Sequence, residues 1–132
     1  MIREIATYID TNTALTLEST LFAGFRPSSA PNTCVAVLET GGGKVNSYFP
    51  DAGDRMIQIL SRAKSYWTAR SNIYLVHDAM KSKAQIDLPQ MAGNPIYRMQ
   101  FVEAVDFPQS LDQDEKGLWE FSQNFVIRMR EV

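Results

Sequence analysis

The sequence predicts an α+β fold: a mostly antiparallel sheet with two helices packed on one of its faces. Three observations lead to this class. Apolar and polar residues alternate over residues 118–130, as in a strand with one buried face. Apolar residues recur at helical spacing near the start of the chain and again over residues 66–82. Short turn sequences separate most of the extended segments, which favours antiparallel pairing.

The first half of the chain predicts one helix followed by several strands. Four apolar residues at helical spacing predict a short amphipathic helix over residues 2–11. Three glycines at positions 41–43 supply a tight turn, which predicts a hairpin between residues 34–39 and 44–49. Further strands are predicted over residues 21–25 and, after a turn at Pro50, Asp51 and Gly53, over residues 55–62.

The second half predicts the other helix and the longest strands. Ala69, Ile73, Val76 and Met80 share one face of a helix over residues 66–82, with Ser65 as its N-cap. Extended segments follow at residues 84–88 and 96–107, and a polar, acidic turn is predicted over residues 106–117. The final strand places its aromatic and aliphatic residues on one face: Trp119, Phe121, Phe125, Ile127 and Met129.

Size and composition favour one domain over residues 1–132, with enough apolar content for a single core. No window holds the roughly 18 consecutive apolar residues that cross a bilayer, and the first ten residues carry charges where a secretion signal is apolar. We therefore expect a protein that is made and kept in a cytoplasm and has no membrane partner. Cys34 and His77 are each the only residue of their type, so neither a disulfide within the chain nor a multi-histidine metal site is predicted.

Motifs that would indicate catalysis or ligand binding are incomplete. The GGGK sequence at positions 41–44 lacks the earlier glycine and the hydroxyl residue of a phosphate-binding loop. The acidic run at 112–117 has the cation Lys116 at position five of a calcium loop, where an oxygen ligand is needed, and Gln123 at position twelve, where a bidentate Glu is needed. The sequence thus predicts no cofactor, no metal and no enzyme.

Charge is strongly segregated although the net charge is only −2. Residues 55–83 contain six basic residues and one acid, a balance of +5, whereas residues 103–120 contain six acids and one base, a balance of −5. The small net charge argues against a broadly basic surface that binds nucleic acid through its phosphates. The two segments instead provide unlike patches that could attract each other.

Several stretches resemble a family of small minor capsid or tail-completion proteins, the tail terminators of long-tailed phages and prophages. They are MIREIATYIDTNTALTL, LFAGFRP, CVAVLE, IQILSRAKSYWTARSNIYLVHD and PQSLDQDEKGLWEFSQNFVIRMR. The resemblance implies a structural protein of the virion that caps the tail tube and joins it to the head. It also implies a ring, usually of six copies, that contacts the tail-tube protein and the head-completion (connector) protein. DNA would pass through the ring without sequence recognition.

A ring requires a heterologous interface, in which one surface meets a different surface of the next copy. From the charge pattern we predict that Arg62, Lys64 and Arg70 of one copy face three acids of its neighbour, which are Asp112, Asp114 and Glu115. Two alternatives stay open: both patches are ordinary solvated faces, or they meet within one subunit. As an alternative function, the protein could be a non-enzymatic module that binds a peptide or small ligand on its sheet.

Overall fold

The computed structural model of the protein describes residues 1–41 and 52–132, and within these ranges it has two helices and seven strands. The helices are α1 (Ile2–Asn12) and α2 (Tyr66–Met80). The strands in chain order are β1 (Leu21–Ala23), β2 (Cys34–Glu39), β3 (Ala52–Ala63), β4 (Ala84–Asp87), β5 (Tyr97–Ala104), β6 (Gln109–Gln113) and β7 (Trp119–Glu131). The predicted α+β class is confirmed.

All seven strands form one sheet in the order β1-β2-β3-β7-β5-β4, and β6 pairs with β7 as well. Strand β7 lies between β3 on one side and both β5 and β6 on the other, so it occupies the centre of the sheet. Every pairing of named strands is antiparallel except that of β1 with β2, which is parallel. The prediction of a mostly antiparallel sheet is therefore confirmed.

One face of the sheet is buried against both helices. On β3 the side chains of Ile57 and Ile59 are fully buried, and on β7 those of Phe125 and Ile127 are too. The Ser61 hydroxyl donates a hydrogen bond of 2.8 Å to the carbonyl oxygen of Ala69, which fixes α2 on this face. The helix residues predicted from spacing reach the same core: Ile5, Ala6, Ile9, Ala69, Ile73, Val76 and Met80.

The second face of the sheet is partly covered by residues 24–33, which connect β1 to β2. Arg62 and Glu120 alternate with the helix-facing side chains of β3 and β7, so they project from this second face. The Arg62 guanidinium donates hydrogen bonds to the carbonyl oxygens of Pro31 at 2.9 Å and Asn32 at 3.3 Å. Arg26 forms an ion pair of 3.7 Å with Glu120. These contacts hold the 24–33 connection across β3 and β7.

Among the described residues, β2 pairs antiparallel with β3 on one edge and parallel with β1 on the other. The predicted strand at 44–49, the GGGK lysine and the turn residues Pro50 and Asp51 lie outside the described residues. Gly53, predicted as a turn residue, belongs to β3 and lies opposite Met129. Strand β3 can start that early because its first residues pair with the end of β7.

The region between residues 96 and 117 differs most from the sequence-based prediction. The register of β5 against β7 shifts between Met99 and Phe101, so Met99 and Val102 are both buried, whereas uninterrupted alternation placed them on opposite faces. Strand β5 also ends at Ala104. The predicted acidic turn contains β6, whose five side chains are all exposed and which pairs with β7 through its backbone.

Candidate assembly surfaces

The acidic residues Asp112, Asp114 and Glu115 lie at the end of β6 and in its turn to β7. Asp114 organises this turn, because its Oδ1 atom accepts hydrogen bonds from the backbone N–H groups of Lys116 at 2.8 Å and Leu118 at 2.9 Å. The bond from Leu118 is the main cause that lowers the pKa of the Asp114 carboxyl, and the bond from Lys116 adds to it. Asp112 and Glu115 are exposed.

The positive charge of Arg62 makes a small contribution to the lowered pKa of Asp114 within one molecule. The strand pairing brings the two segments near each other, since Ala63 of β3 and Gln113 of β6 both lie opposite Trp119 of β7. The Arg62 side chain itself donates to the carbonyl oxygens of Pro31 and Asn32. Contact between the two patches, within one molecule or between copies, stays a prediction.

Lys64 and Arg70 remain exposed around the first half of α2. Arg70 lies 4.5 Å above the ring of Tyr74, one helical turn further on, in a cation–π contact. Trp67 on the same helix is 68% exposed, and its ring meets that of Tyr66 edge to face at 5.0 Å. Tyr66 itself packs against Trp119 and Phe121 of β7.

A buried polar contact joins α2 to the segment between β5 and β6. Gln123 is fully buried, and its Nε2 atom lies 2.6 Å from Nδ1 of His77 and donates to the carbonyl oxygen of Asp106 at 2.8 Å. The Asp106 carboxylate in turn accepts from the backbone N–H of Asn124. Sequence reasoning missed this contact, although Gln123 was the polar residue that interrupted the apolar face of the last strand.

Large apolar side chains are exposed beside two edge strands of the sheet, which are β1 and β6. Beside β6, Phe107 is 75% exposed, and Val105 and Leu111 are also exposed. Beside β1, Phe25 is 69% exposed and lines a groove of about 330 Å³. The other residues of this groove are Ile2, Arg3, Glu18, Phe22, Ala23 and Pro27. Neither edge was singled out from the sequence, because isolated apolar residues in turn-rich segments carry no periodic signal.

Further grooves lie on the surface formed by the described residues. One of about 220 Å³ lies on the second face of the sheet and includes Asp54 and Arg128, which form an ion pair of 3.0 Å. Over residues 1–41 and 52–132, no three His, Cys, Asp or Glu side chains are grouped so that they could hold a metal ion. In the same ranges no helix is long and apolar enough to span a bilayer. Cys34 is buried.

These features define a class: a compact α+β subunit whose distinctive surfaces are exposed apolar edges and charged patches suited to contacts with other proteins. Its family is shown by sequence. The profile of the family described as bacteriophage tail terminator protein matches residues 8–130, and the chain belongs to that family. The protein is accordingly a structural component of a phage-type tail. Comparison with curated protein sequences gives no match.

A solved particle contains a chain of the same fold. That chain is part of the virion of a native gene transfer agent particle. It superposes with a TM-score of 0.56 and 16% sequence identity, over 96% of this protein and 84% of the other chain. At this identity the likeness shows the fold, which extends over nearly the whole protein.

Proposed function

We propose that the protein closes the head-proximal end of a phage or prophage tail tube as a ring of identical subunits and joins the tail to the head. The observation that carries the proposal is the match to the tail terminator family over residues 8–130. The ring has six copies on the assembled tail. It contacts the tail-tube protein on one side and a head-completion protein on the other, and DNA passes through it.

The surfaces of the subunit support a structural role in the particle. Exposed aromatic side chains at two separate edges suit protein contacts, since large rings are enriched where subunits meet. The exposed charged side chains around the acidic turn can add electrostatic attraction to these apolar contacts. The protein acts without catalysis and is assembled in the bacterial cytoplasm before it becomes part of the virion.

The contact predicted from the sequence pairs Arg62, Lys64 and Arg70 of one copy with three acids of the next, which are Asp112, Asp114 and Glu115. Four of these six side chains are exposed, as such a contact requires: Lys64, Arg70, Asp112 and Glu115. Arg62 is already bonded to the 24–33 connection, so its part in a contact between copies is the smallest of the basic set.

Particle assembly tests the function. We expect the protein to sediment with tails and whole particles, and gold-labelled antibody to mark the head-proximal end of each tail. Without the protein, cells should accumulate heads and tails that do not join. A protein that stays in the supernatant, or normal particles made without it, would contradict the proposal.

A further inference from the structure

His77 is the only histidine in the chain, and its side chain is buried in the contact with Gln123 and Asp106. The carbonyl oxygen of Asp106 can only accept a hydrogen bond, so the Gln123 amide must turn its nitrogen toward it. The same nitrogen, Nε2, lies 2.6 Å from Nδ1 of His77. Its second N–H therefore donates to Nδ1, which fixes a neutral ring with its proton on the other nitrogen.

The reversed orientation of the Gln123 amide is unfavourable while the His77 ring is neutral. It would place Oε1 against the carbonyl oxygen of Asp106, so that two acceptors face each other. It would also move Nε2 to the buried position of Oε1, where no hydrogen-bond partner is present among the described residues. The observed orientation thus makes two hydrogen bonds, whereas the reversed one makes at most one.

A proton gained at Nδ1 of His77 removes this advantage. Nδ1 and Nε2 of Gln123 would then be two donors facing each other at 2.6 Å. Reversal of the amide gives the charged ring an acceptor, and a hydrogen bond from a charged group is roughly twice as strong as a neutral one. A buried charge without a partner also costs more than an unbonded carbonyl. The charged ring therefore takes the amide oxygen, and the carbonyl of Asp106 loses its donor.

The charged and titratable groups of α2 near His77 are engaged elsewhere. Asp78 and Lys81 pair with each other at 3.1 Å, and both side chains are exposed. The Tyr74 ring meets that of His77 edge to face at 5.5 Å, and Arg70 lies above the Tyr74 ring. Over residues 1–41 and 52–132, no ion pair joins His77 to a carboxylate. A charged His77 is thus left with the Gln123 amide as its acceptor on this side.

On the sheet side the ionisable group is Asp106, and its carboxylate is bonded to Asn124. Oδ1 accepts from the backbone N–H at 2.9 Å, and Oδ2 accepts from the side-chain amide at 3.3 Å. Val105 donates from its N–H to the carbonyl oxygen of Asn124 at 3.0 Å. These bonds hold Val105 and Asp106 on β7 whatever the charge of His77. The carbonyl of Asp106, in contrast, belongs to the peptide group that leads to Phe107, so the loss of its donor frees that peptide group.

We infer that His77 is a pH-sensitive switch that controls how firmly Phe107 is held. With the ring neutral, Gln123 anchors the peptide group before Phe107, whose side chain is 75% exposed. Histidine gains its proton between about pH 8 and about pH 5, and over this range the amide turns to the charged ring and the peptide group becomes mobile. Acid thus loosens an apolar surface of the subunit without unfolding the sheet. The switch lies within a single subunit and does not depend on the proposed ring.

Nuclear magnetic resonance of the untagged protein tests the switch, because a single histidine gives a single set of ring signals. At about pH 8 the nitrogen spectrum should show Nδ1 of His77 without a proton and Nε2 with one. As the pH falls to about 5, the side-chain amide of Gln123 and the backbone N–H of Phe107 should shift with the same midpoint as the ring. The order parameter of the Phe107 N–H should fall from about 0.85 to below about 0.6.

Two variants provide the controls. In His77→Phe the signals of Gln123 and Phe107 should not move over this pH range. Asp78→Asn changes an exposed carboxylate on the same helix and should leave the three groups titrating together. A ring protonated on Nδ1 at about pH 8, or a Phe107 N–H that does not follow the His77 titration, would overturn the inference. If His77→Phe does not fold, the unchanged protein still decides, since the ring proton and the shared midpoint are both measured in it.

Discussion

At the scale of single residues, Gln123 shows how a polar side chain is accommodated in an apolar core. Its amide nitrogen serves both His77 and Asp106, while its Oε1 atom is buried with no hydrogen-bond partner among the described residues. A buried amide without these bonds would cost about 1–3 kcal/mol. Gln123 therefore stabilises the fold only as long as both neighbours accept from it.

Gln123→Leu should lower the free energy of unfolding by about 1–3 kcal/mol, because the His77 ring and the Asp106 carbonyl lose their donor. Urea denaturation measures this change, and Gln109→Leu on the exposed β6 is the control, with an expected effect of about 0.5 kcal/mol or less. The double variant His77→Phe/Gln123→Leu should recover part of the loss, since both polar partners are removed. A double variant less stable than the sum of its single changes would contradict this account.

The Asp114 turn should respond to acid. Hydrogen bonds from Leu118 and Lys116 lower the pKa of its carboxyl, so the stabilisation is present above the ordinary value of about 3.9 and is lost as the pH falls through the lowered pKa of the folded state. The amide proton resonances of Lys116 and Leu118 should move over that acidic range in NMR spectra. In Asp114→Asn, which cannot titrate, these resonances should not follow the same titration.

At the scale of elements, the sequence predicts those whose side chains are buried on one side. The final strand and both helices are predicted because burial imposes a period of two or about 3.6 residues. Strand β6 is not predicted from the sequence, because none of its side chains is buried and it pairs with β7 only through its backbone. The β5 irregularity is equally invisible, since one extra residue reverses the faces without changing composition.

The same limit applies to the candidate contact surfaces. Segregated charge along the chain is readable from the sequence, but the proximity of Arg62 to Asp114 depends on β3 and β6 flanking the same strand. The groove beside β1 combines residues of α1, β1 and the following connection. Only the folded arrangement brings these three segments together.

Docking of α2 on the sheet gives a prediction at this scale. Ile73 is fully buried beneath the helix, so Ile73→Ala should leave a cavity and reduce the free energy of unfolding by about 2–5 kcal/mol. Leu75 on the same helix is 40% exposed, and Leu75→Ala should cost about 1 kcal/mol or less. Urea denaturation of the two variants compares them directly. Equal losses would mean that α2 is held by something other than its buried face.

At the scale of the whole molecule, the contact between copies that the sequence predicts can be tested by charge reversal. Lys64→Glu/Arg70→Glu should weaken assembly, and incorporation of the protein into tails measures the effect. Raising the salt concentration from 0.1 to 1 M should weaken the same contact in the unchanged protein, because the screening length falls from about 10 to about 3 Å.

The central position of β7 has a consequence for how the protein is made. Ribosomes deliver residues in chain order, so every other strand of this sheet leaves the exit tunnel before the strand that pairs with β3, β5 and β6. Until Trp119–Glu131 arrives, β3 and β5 each have one unpaired edge, and β6 has no partner strand. The nascent subunit therefore cannot complete its sheet, or present finished edges to another copy, before translation of that strand is over.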